Sequence, residues 1–289
     1  MDSERTTPHP RRWLLVAAVA AVLVAVTYWA AVRTVTGQRI ENAALRGADQ
    51  ATGAARLAAS DQLSWITLSS FALVSVVVVL AAWWRGGLRL AVGAGTVLAG
   101  STVITETLKR VLPRPQLIPV TGDYTHNSFP SGHTTIAMSA LFAVLIVLPH
   151  RWRGVGVAVG AAYAVAIGAQ TVTAKWHRLS DTVGADLVAL AAACLVLACL
   201  ARSGQLRPVS ERRPLRVWTV GVALALVSGL ALVVGGIVLV LGEVPATPDP
   251  VLDYNPYLAA HSLALGCSGL ATLVLWPTLR QVEVGSRRR

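Results

Sequence analysis

Two histidines, His133 and His177, each stand at the start of a long apolar run, directly after a polar loop. Imidazole exchanges protons near neutral pH, and its neutral form is also a nucleophile. Asp181 follows His177 by four residues, so on one helical turn its carboxylate can accept a hydrogen bond from the ring. Such a bond fixes one tautomer and leaves the other ring nitrogen free to attack an electrophile.

The residues around the first of these histidines have the composition of an anion site. Ser131 and Gly132 directly precede His133. Ser131 is a natural N-cap for the following helix, and Gly132 allows the backbone to approach a ligand closely. Free amides at a helix start bind anions, so the segment is suited to a phosphate group. Taken alone, Pro-Ser-Gly is equally an ordinary turn followed by a helix start.

Basic residues accompany the histidines in the same loops. Lys109 and Arg114 precede the first histidine, and Arg178 directly follows the second. The planar fork of a guanidinium can hold two oxygens of one phosphate at once. Carboxylates are too sparse in these loops for a magnesium or two-metal site, so the sequence predicts neither a metal nor a cofactor.

The elements that position these residues are membrane spans. Of 289 residues, 54% are hydrophobic and 13% are charged, and the mean hydropathy is +0.60. This composition excludes a soluble enzyme and indicates an integral membrane protein. Continuous apolar runs near the bilayer-crossing length of about 20 residues predict an all-α bundle of about eight transmembrane helices. The runs are 13–32, 63–84, 90–108, 133–149, 155–173, 182–201, 217–241 and 258–278.

With eight spans, the polar cluster falls at one membrane level. Lys109 closes the third span, His133 opens the fourth and His177 opens the sixth, so all three face the same side. A charge at mid-bilayer costs about 2.5 to 3.5 kcal/mol on insertion scales, which favours a site at the interface, within reach of lipid head groups. The Ala-rich stretch from Ile40 to Ala59, in the first loop on that side, is interpreted as an interfacial helix.

The distribution of basic residues predicts the orientation. Sixteen of the 25 lysines and arginines lie on the side that holds both termini, so we expect both termini to be cytoplasmic and the polar cluster extracytoplasmic. The net charge of +11 is interpreted as arginine-rich loops beside anionic lipid rather than as a nucleic-acid surface. The sequence gives no indication of the oligomeric state.

The three polar segments resemble the signature motifs of the type 2 phosphatidic acid phosphatase superfamily, membrane lipid phosphatases that share a core with vanadium haloperoxidases. The run from Pro130 to His133 matches the middle motif fully. His177, followed by three residues and Asp181, matches the catalytic part of the third motif. The first motif keeps Lys109 and an Arg-Pro pair that begins at Arg114. The resemblance covers about residues 60–200.

Two features depart from the family pattern. The family places Arg-Pro seven and eight residues after the lysine, where this sequence has Gln116 and Leu117, and the pair present here comes two residues earlier. The family also has an arginine six residues before the nucleophilic histidine, where this sequence has Thr171. Arg178 or Lys175 must therefore compensate, and we predict that Arg178 does so because it adjoins the proposed nucleophile.

The resemblance implies a metal-independent hydrolase that cleaves a lipid phosphate or diphosphate through a phosphohistidine, as undecaprenyl-diphosphatase-like enzymes do. His177, oriented by Asp181, would attack phosphorus, while His133 would protonate the leaving oxygen and then activate water. The phosphate-binding residues would be Lys109, Arg114, Ser131, Gly132 and Arg178.

The resemblance also sets the expected partners and domains. The substrate would be a lipid phosphate or a prenyl diphosphate at the outer face of the cell membrane. Residues 1–216 would form a six-span lipid phosphatase core, and residues 217–289 would add two transmembrane helices of unknown role. Two alternatives remain open: a phosphotransferase that uses the same phosphohistidine, and a non-catalytic membrane protein that recognises phosphate.

Overall fold

The computed structural model describes residues 10–119, 126–209, 214–280 and 282–284. Within these ranges the chain forms α-helices joined by short loops, together with one antiparallel pair of three-residue strands. The helices are α1 Arg11–Thr27, α2 Val35–Gly47, α3 Gly53–Ser64, α4 Leu68–Gly95, α5 Ser101–Val111, α6 Gly132–Val147, α7 Arg153–Thr173, α8 Leu179–Arg202, α9 Pro214–Leu241 and α10 Pro250–Thr278. The strands are β1 Leu206–Pro208 and β2 Val282–Val284.

Six helical segments among the described residues are long and apolar enough to cross a membrane. The chain is therefore an all-α, multi-pass membrane protein, as its composition predicts. Helix α6 is also apolar but has only 16 residues. The six segments are Arg11–Val32, Leu68–Val111, His150–Thr173, Leu179–Arg202, Thr219–Leu241 and Pro250–Thr278.

The longest of these segments, Leu68–Val111, is folded back on itself at Gly87. This glycine has φ 71° and ψ −166°, in the region that L-residues rarely adopt. A β-carbon built at Gly95 would lie 3.7 Å from the side chain of Val79, sixteen residues earlier in the chain. In a straight helix those residues would be about 24 Å apart, so residues 68–86 and 88–111 form two antiparallel arms.

Helix α8 lies at the centre of the bundle, where it contacts α1, α6 and α10. Helix α6 packs between α7 and α8 and also meets α4. Helix α9 contacts α10 and, to a smaller extent, α7. The inner faces carry small residues, including Ala189, Ala193 and Cys194 on α8, which allow the neighbouring helices to approach closely.

The end of the bundle remote from the two histidines is held together by contacts of two arginines, Arg153 and Arg85. Arg153, at the start of α7, is 2% exposed and donates to the carbonyl oxygens of Leu145, Leu279 and Val282. Arg85 pairs with Glu283 on β2 at 2.6 Å. The three Arg153 bonds satisfy backbone carbonyls, and two of them attach the C-terminal segment to the start of α7. The Arg85–Glu283 pair attaches the same segment to α4.

Candidate active site

Three helix ends meet on one side of the bundle: the end of α5 and the starts of α6 and α8. The backbone amide of Ser131 donates to the carbonyl oxygen of Asp181 at 2.8 Å, which ties the α6 start to the α8 start. Thr105 and Thr135 share a hydroxyl hydrogen bond of 2.9 Å between α5 and α6. The segments that carry the predicted site residues therefore lie next to one another.

Asp181 is fully buried, and one of its oxygens accepts three hydrogen bonds. Its Oδ2 accepts from the Ser128 hydroxyl at 2.6 Å and from the Arg178 amide at 2.9 Å, and it lies 3.3 Å from Nδ1 of His177. The first two bonds fix the carboxylate, and the third fixes the imidazole. The ring therefore presents Nε2 as its remaining nitrogen, as the four-residue spacing predicts.

The backbone of His177 is fixed by the end of α7. Lys175 adopts a left-handed conformation with φ 61°, which turns the chain sharply after the helix. The amides of Trp176 and His177 then both donate to the carbonyl oxygen of Thr171 at 3.1 Å. The ring position is thus determined by α7 through the backbone and by α8 through the Asp181 carboxylate.

His133 lies beside His177, with 6.1 Å between the ring centroids. Its ring also packs against Trp176 in a T-shaped arrangement, with 5.1 Å between the ring centroids. Among the described residues, buried Nδ1 of His133 has no hydrogen-bond partner. Two imidazoles at this separation can both reach atoms of a single phosphoryl group, one as nucleophile and the other as proton donor.

Lys109 lies against the start of α6. Its Nζ is 3.2 Å from the position that a β-carbon would occupy at Gly132, and it pairs with Glu106 at 2.9 Å. The amides of Gly132 and His133 are in the first helical turn and have no acceptor within the helix. An ammonium beside free helix-start amides is an arrangement that binds anions.

Ser131 contributes to this arrangement as the helix cap. It is fully buried, its hydroxyl accepts a hydrogen bond from the Thr134 amide at 3.3 Å, and its own amide donates to Asp181. The prediction that Ser131 is the N-cap of α6 matches this geometry. Its amide is engaged by Asp181, so the backbone amides left for an anion are those of Gly132 and His133.

Arg114 forms a buried ion pair with Glu41 of α2. The two groups are 2.8 Å apart, and each side chain is 5% exposed. The other carboxylate oxygen of Glu41 accepts the Ser180 amide at 3.0 Å, so the pair also joins the α5–α6 loop to the start of α8. The sequence did not indicate that a carboxylate would occupy this position.

Arg178 turns into the protein rather than towards lipid, and it is 4% exposed. Its guanidinium donates to the Ser128 hydroxyl at 3.4 Å and to the Asn42 side-chain oxygen at 3.5 Å. Lys175, the other candidate for the missing arginine, pairs with Asp49 at 2.7 Å. Thr171, at the position of the family arginine, is buried and bonds to Thr182 at 3.1 Å.

The sequence analysis did not predict that α2 would contribute residues to the surroundings of the site. The stretch interpreted as one interfacial helix forms two, α2 and α3, and the polar residues on one face of α2 are buried. Gln38, Glu41 and Asn42 have the spacing i, i+3, i+4, which places them on one face of a helix. The spacing was visible in the sequence, but nothing in it showed that the polar face packs inward.

Residues 86–205 match the model of the PAP2 superfamily. The match confirms the resemblance drawn from the motifs, and the PAP2 segment contains every predicted site residue from Lys109 to Asp181. Helices α1–α3, α9 and α10 lie outside it. No curated protein and no solved structure matches the chain significantly.

The described residues bring together no group of three or more histidine, cysteine, aspartate or glutamate side chains that could hold a metal ion. The candidate site brings together histidines, a lysine and helix-start amides. These groups can carry out nucleophilic and acid–base chemistry on a phosphoryl group, and they can balance the charge that develops on its oxygens.

Replacing Gly184 with alanine should displace the α6 start and lower activity. A β-carbon at Gly184 would lie 2.6 Å from the ring of fully buried Phe129, which comes just before Pro130 and Ser131. A misplacement of about 1 Å can cost about 10²-fold in rate. Gly229→Ala on α9 is the matched control, because a β-carbon there meets nothing within 4 Å. Phosphate release at equal protein level checks the prediction, and equal rates for the two variants would contradict it.

Proposed function

We propose that this protein hydrolyses a lipid phosphate or diphosphate at the outer face of the cell membrane, without a metal, through a phosphohistidine on His177. The PAP2 match supports a phosphatase or a related phosphoesterase in general. The observation that carries the finer proposal is the contact between Nδ1 of His177 and Oδ2 of Asp181, 3.3 Å apart, beside the ring of His133.

The first chemical step forms a phosphohistidine. Nε2 of His177 attacks phosphorus, a P–N bond forms, and the P–O bond to the lipid breaks. His133 gives a proton to the departing oxygen, so the lipid leaves as an alcohol or as a monophosphate. Asp181 stabilises the positive charge that develops on the His177 ring.

The second step releases inorganic phosphate. His133 takes a proton from water, the resulting hydroxide attacks phosphorus, and the P–N bond breaks. Inorganic phosphate leaves, and His177 returns to its neutral form. Throughout both steps, Lys109 and the amides of Gly132 and His133 balance the charge on the phosphoryl oxygens, with Arg114 and Arg178 as further cations.

The position of the site at helix ends supports a lipid substrate. Lys109 ends the second arm of the hairpin, and His133 and Asp181 start apolar helices, so the site lies where the apolar segments meet polar loops. Head groups occupy this level in a bilayer, and an apolar tail can remain among the lipid chains. We propose that both hairpin arms and α6 cross the membrane, which gives eight spans with both termini in the cytoplasm.

Phosphate release by the purified protein tests the function. We expect release from at least one of phosphatidic acid, phosphatidylglycerophosphate and a prenyl diphosphate, no loss of rate with a chelator, and inhibition by vanadate, which imitates five-coordinate phosphorus. Strong loss with a chelator that a divalent cation restores would contradict the mechanism. Preference for a soluble sugar phosphate over every lipid would contradict the substrate class.

The orientation predicts opposite labelling of two loops. Thr247, between α9 and α10, and Ser203, after α8, are both exposed. The 243–257 segment has no basic residue, whereas 202–216 has five arginines. In a cysteine-free background, Thr247→Cys should react with an impermeant thiol reagent from outside intact cells, and Ser203→Cys only after permeabilisation. Labelling of both from the same side would contradict the eight-span arrangement.

A further inference from the structure

Helix α2 lies outside the PAP2 segment, yet one of its faces is buried against the proposed site. Gln38, Glu41 and Asn42 on this face are between 2% and 5% exposed. Burying polar side chains is costly unless they find partners, so their contacts indicate what this face of α2 is built to hold.

Glu41 connects two of the segments that carry site residues. One oxygen of its carboxylate pairs with Arg114 at 2.8 Å, and the other accepts the Ser180 amide at the start of α8 at 3.0 Å. A single side chain therefore fixes the arginine of the first motif relative to the helix of the third motif. The second terminal nitrogen of Arg114, Nη1, is buried and has no hydrogen-bond partner among the described residues, so it is free to contact a substrate oxygen.

The neighbouring residues of α2 hold the same two regions. Asn42 accepts a hydrogen bond from the Arg178 guanidinium at 3.5 Å. The Gln38 side chain donates to the carbonyl oxygen of Pro115 at 2.6 Å and accepts the amide of Leu117 at 3.2 Å. These contacts fall where the chain departs from the PAP2 pattern: the early Arg-Pro pair and the arginine that follows the nucleophilic histidine.

Helix α2 is itself held by α10, another element outside the PAP2 segment. Arg46 makes a two-pronged ion pair with Asp253, with distances of 2.7 and 2.8 Å, and Asp253 is 2% exposed. A β-carbon at Gly47 would lie 2.0 Å from the backbone oxygen of Asp253, so only glycine allows the two helices to approach this closely. Helix α10 packs along α2 as well as on α7 and α8.

We propose that α2 belongs to the site. Its Glu41 is a positioning residue for the phosphate-binding Arg114, and its Asn42 is a positioning residue for the phosphate-binding Arg178. Helix α10 holds α2 in place through the Arg46–Asp253 pair. This proposal rests on the proposed phosphatase function. It gives α10 a role: this helix fixes the element that compensates for the shifted and missing arginines. A guanidinium group that a carboxylate or an amide oxygen holds in one orientation is pre-organised to bind the negative charge that develops on the phosphoryl oxygens in the transition state.

The decisive comparison is between Glu41→Gln and Asp61→Asn, the same carboxyl-to-amide change at an exposed position of α3. Glu41→Gln keeps an acceptor for Ser180 but no longer holds Arg114 by charge. We expect kcat/KM to fall about tenfold or more, mainly in kcat, and the vanadate inhibition constant to rise by a similar factor. Asp61→Asn should match wild type. Asn42→Ala, which removes no charge, should act in the same direction and carries the test if Glu41→Gln fails to accumulate.

A merely structural role for α2 predicts a different pattern. The variants would then lose thermal stability and active fraction, while the remaining active protein would keep the wild-type KM and vanadate inhibition constant. That pattern would overturn the proposal. Absence of phosphate release by wild-type protein would instead overturn the proposed function, so the two failures can be distinguished.

The role of the Arg46–Asp253 ion pair is tested with variants that leave Arg114 and Arg178 unchanged. Arg46→Met should lower kcat without changing the protein level, and Arg46→Lys, which keeps a charge for Asp253, should recover part of the loss. Arg33→Met is the matched control, because Arg33 is exposed just before α2, and it should match wild type. Wild-type kcat in Arg46→Met would overturn the role assigned to α10.

Discussion

Replacing His177 with alanine should lower phosphate release by about 10⁴-fold or more, because the variant lacks the atom that forms the covalent bond to phosphorus. The fold should be retained, since the ring is near the bundle end and its main partner, Asp181, keeps hydrogen bonds from Ser128 and Arg178. Steady-state phosphate release and the thermal midpoint in detergent are the two measurements.

His150→Ala provides the matched histidine control for this experiment. His150 precedes α7 at the opposite end of the bundle, where its ring contacts the carbonyl oxygen of Arg280 at 2.8 Å. We expect its activity to stay near wild type. An active His177→Ala protein, or equal losses in the two variants, would show that the nucleophile lies elsewhere.

Replacing His133 with alanine should reveal the two steps separately. With a lipid phosphate, whose leaving alkoxide needs a proton, the rate should fall by about 10²- to 10⁴-fold. With p-nitrophenyl phosphate, whose leaving group needs no proton, formation of the phosphohistidine should be much less affected than its hydrolysis. We therefore expect a rapid burst of nitrophenol, of about one equivalent per protein, followed by slow turnover.

The leaving-group comparison distinguishes acid–base catalysis from general damage to the site. A variant with a distorted site would lose activity equally with both substrates and would show no burst. Such a result would remove His133 from the acid–base role. Gly132→Ala is a poor control here, because a β-carbon at that position would meet Lys109 at 3.2 Å, so Gly229→Ala on α9 is preferable.

The sequence was sufficient to predict which segments carry the motifs and how their ends meet. The i, i+4 spacing of His177 and Asp181 and the cap residue Ser131 are local features, and local geometry determines their contacts. Topology alone places these helix ends at one membrane level. For these reasons the sequence alone predicts that His133, His177 and Lys109 lie at the same end of the bundle, where the structure places them.

The apolar pattern also predicted the hairpin in approximate form. Two separate runs, 63–84 and 90–108, were expected on either side of Arg85 and Arg89, and the chain does reverse between those arginines, at Gly87. Within Leu68–Gly95 the non-helical backbone is confined to Gly87, so the two arms follow each other without an intervening loop. The apolar pattern indicates the length of each arm. The geometry of the turn depends on the positive φ of Gly87, which hydrophobicity does not predict.

The partners of the arginines could not be predicted. Glu41 lies 73 residues before Arg114 in the chain, and Asn42 lies 136 residues before Arg178. No local spacing rule reaches that far. The amphipathic pattern of α2 is equally compatible with a polar face turned to water. Glu41 and Asn42 are buried because α2 packs against α10 and the rest of the bundle, which is a tertiary contact that the local sequence does not encode.

The central claim is that His177 forms a covalent bond to phosphorus, and trapping that bond tests it most directly. Wild-type protein and His133→Ala would be mixed with labelled substrate and quenched in base, where phosphohistidine survives, and the labelled peptide would be mapped by mass spectrometry. We predict an acid-labile phosphoryl group on His177, with more of it in His133→Ala and none in His177→Ala. Turnover without any labelled histidine, or a label on another residue, would contradict the account.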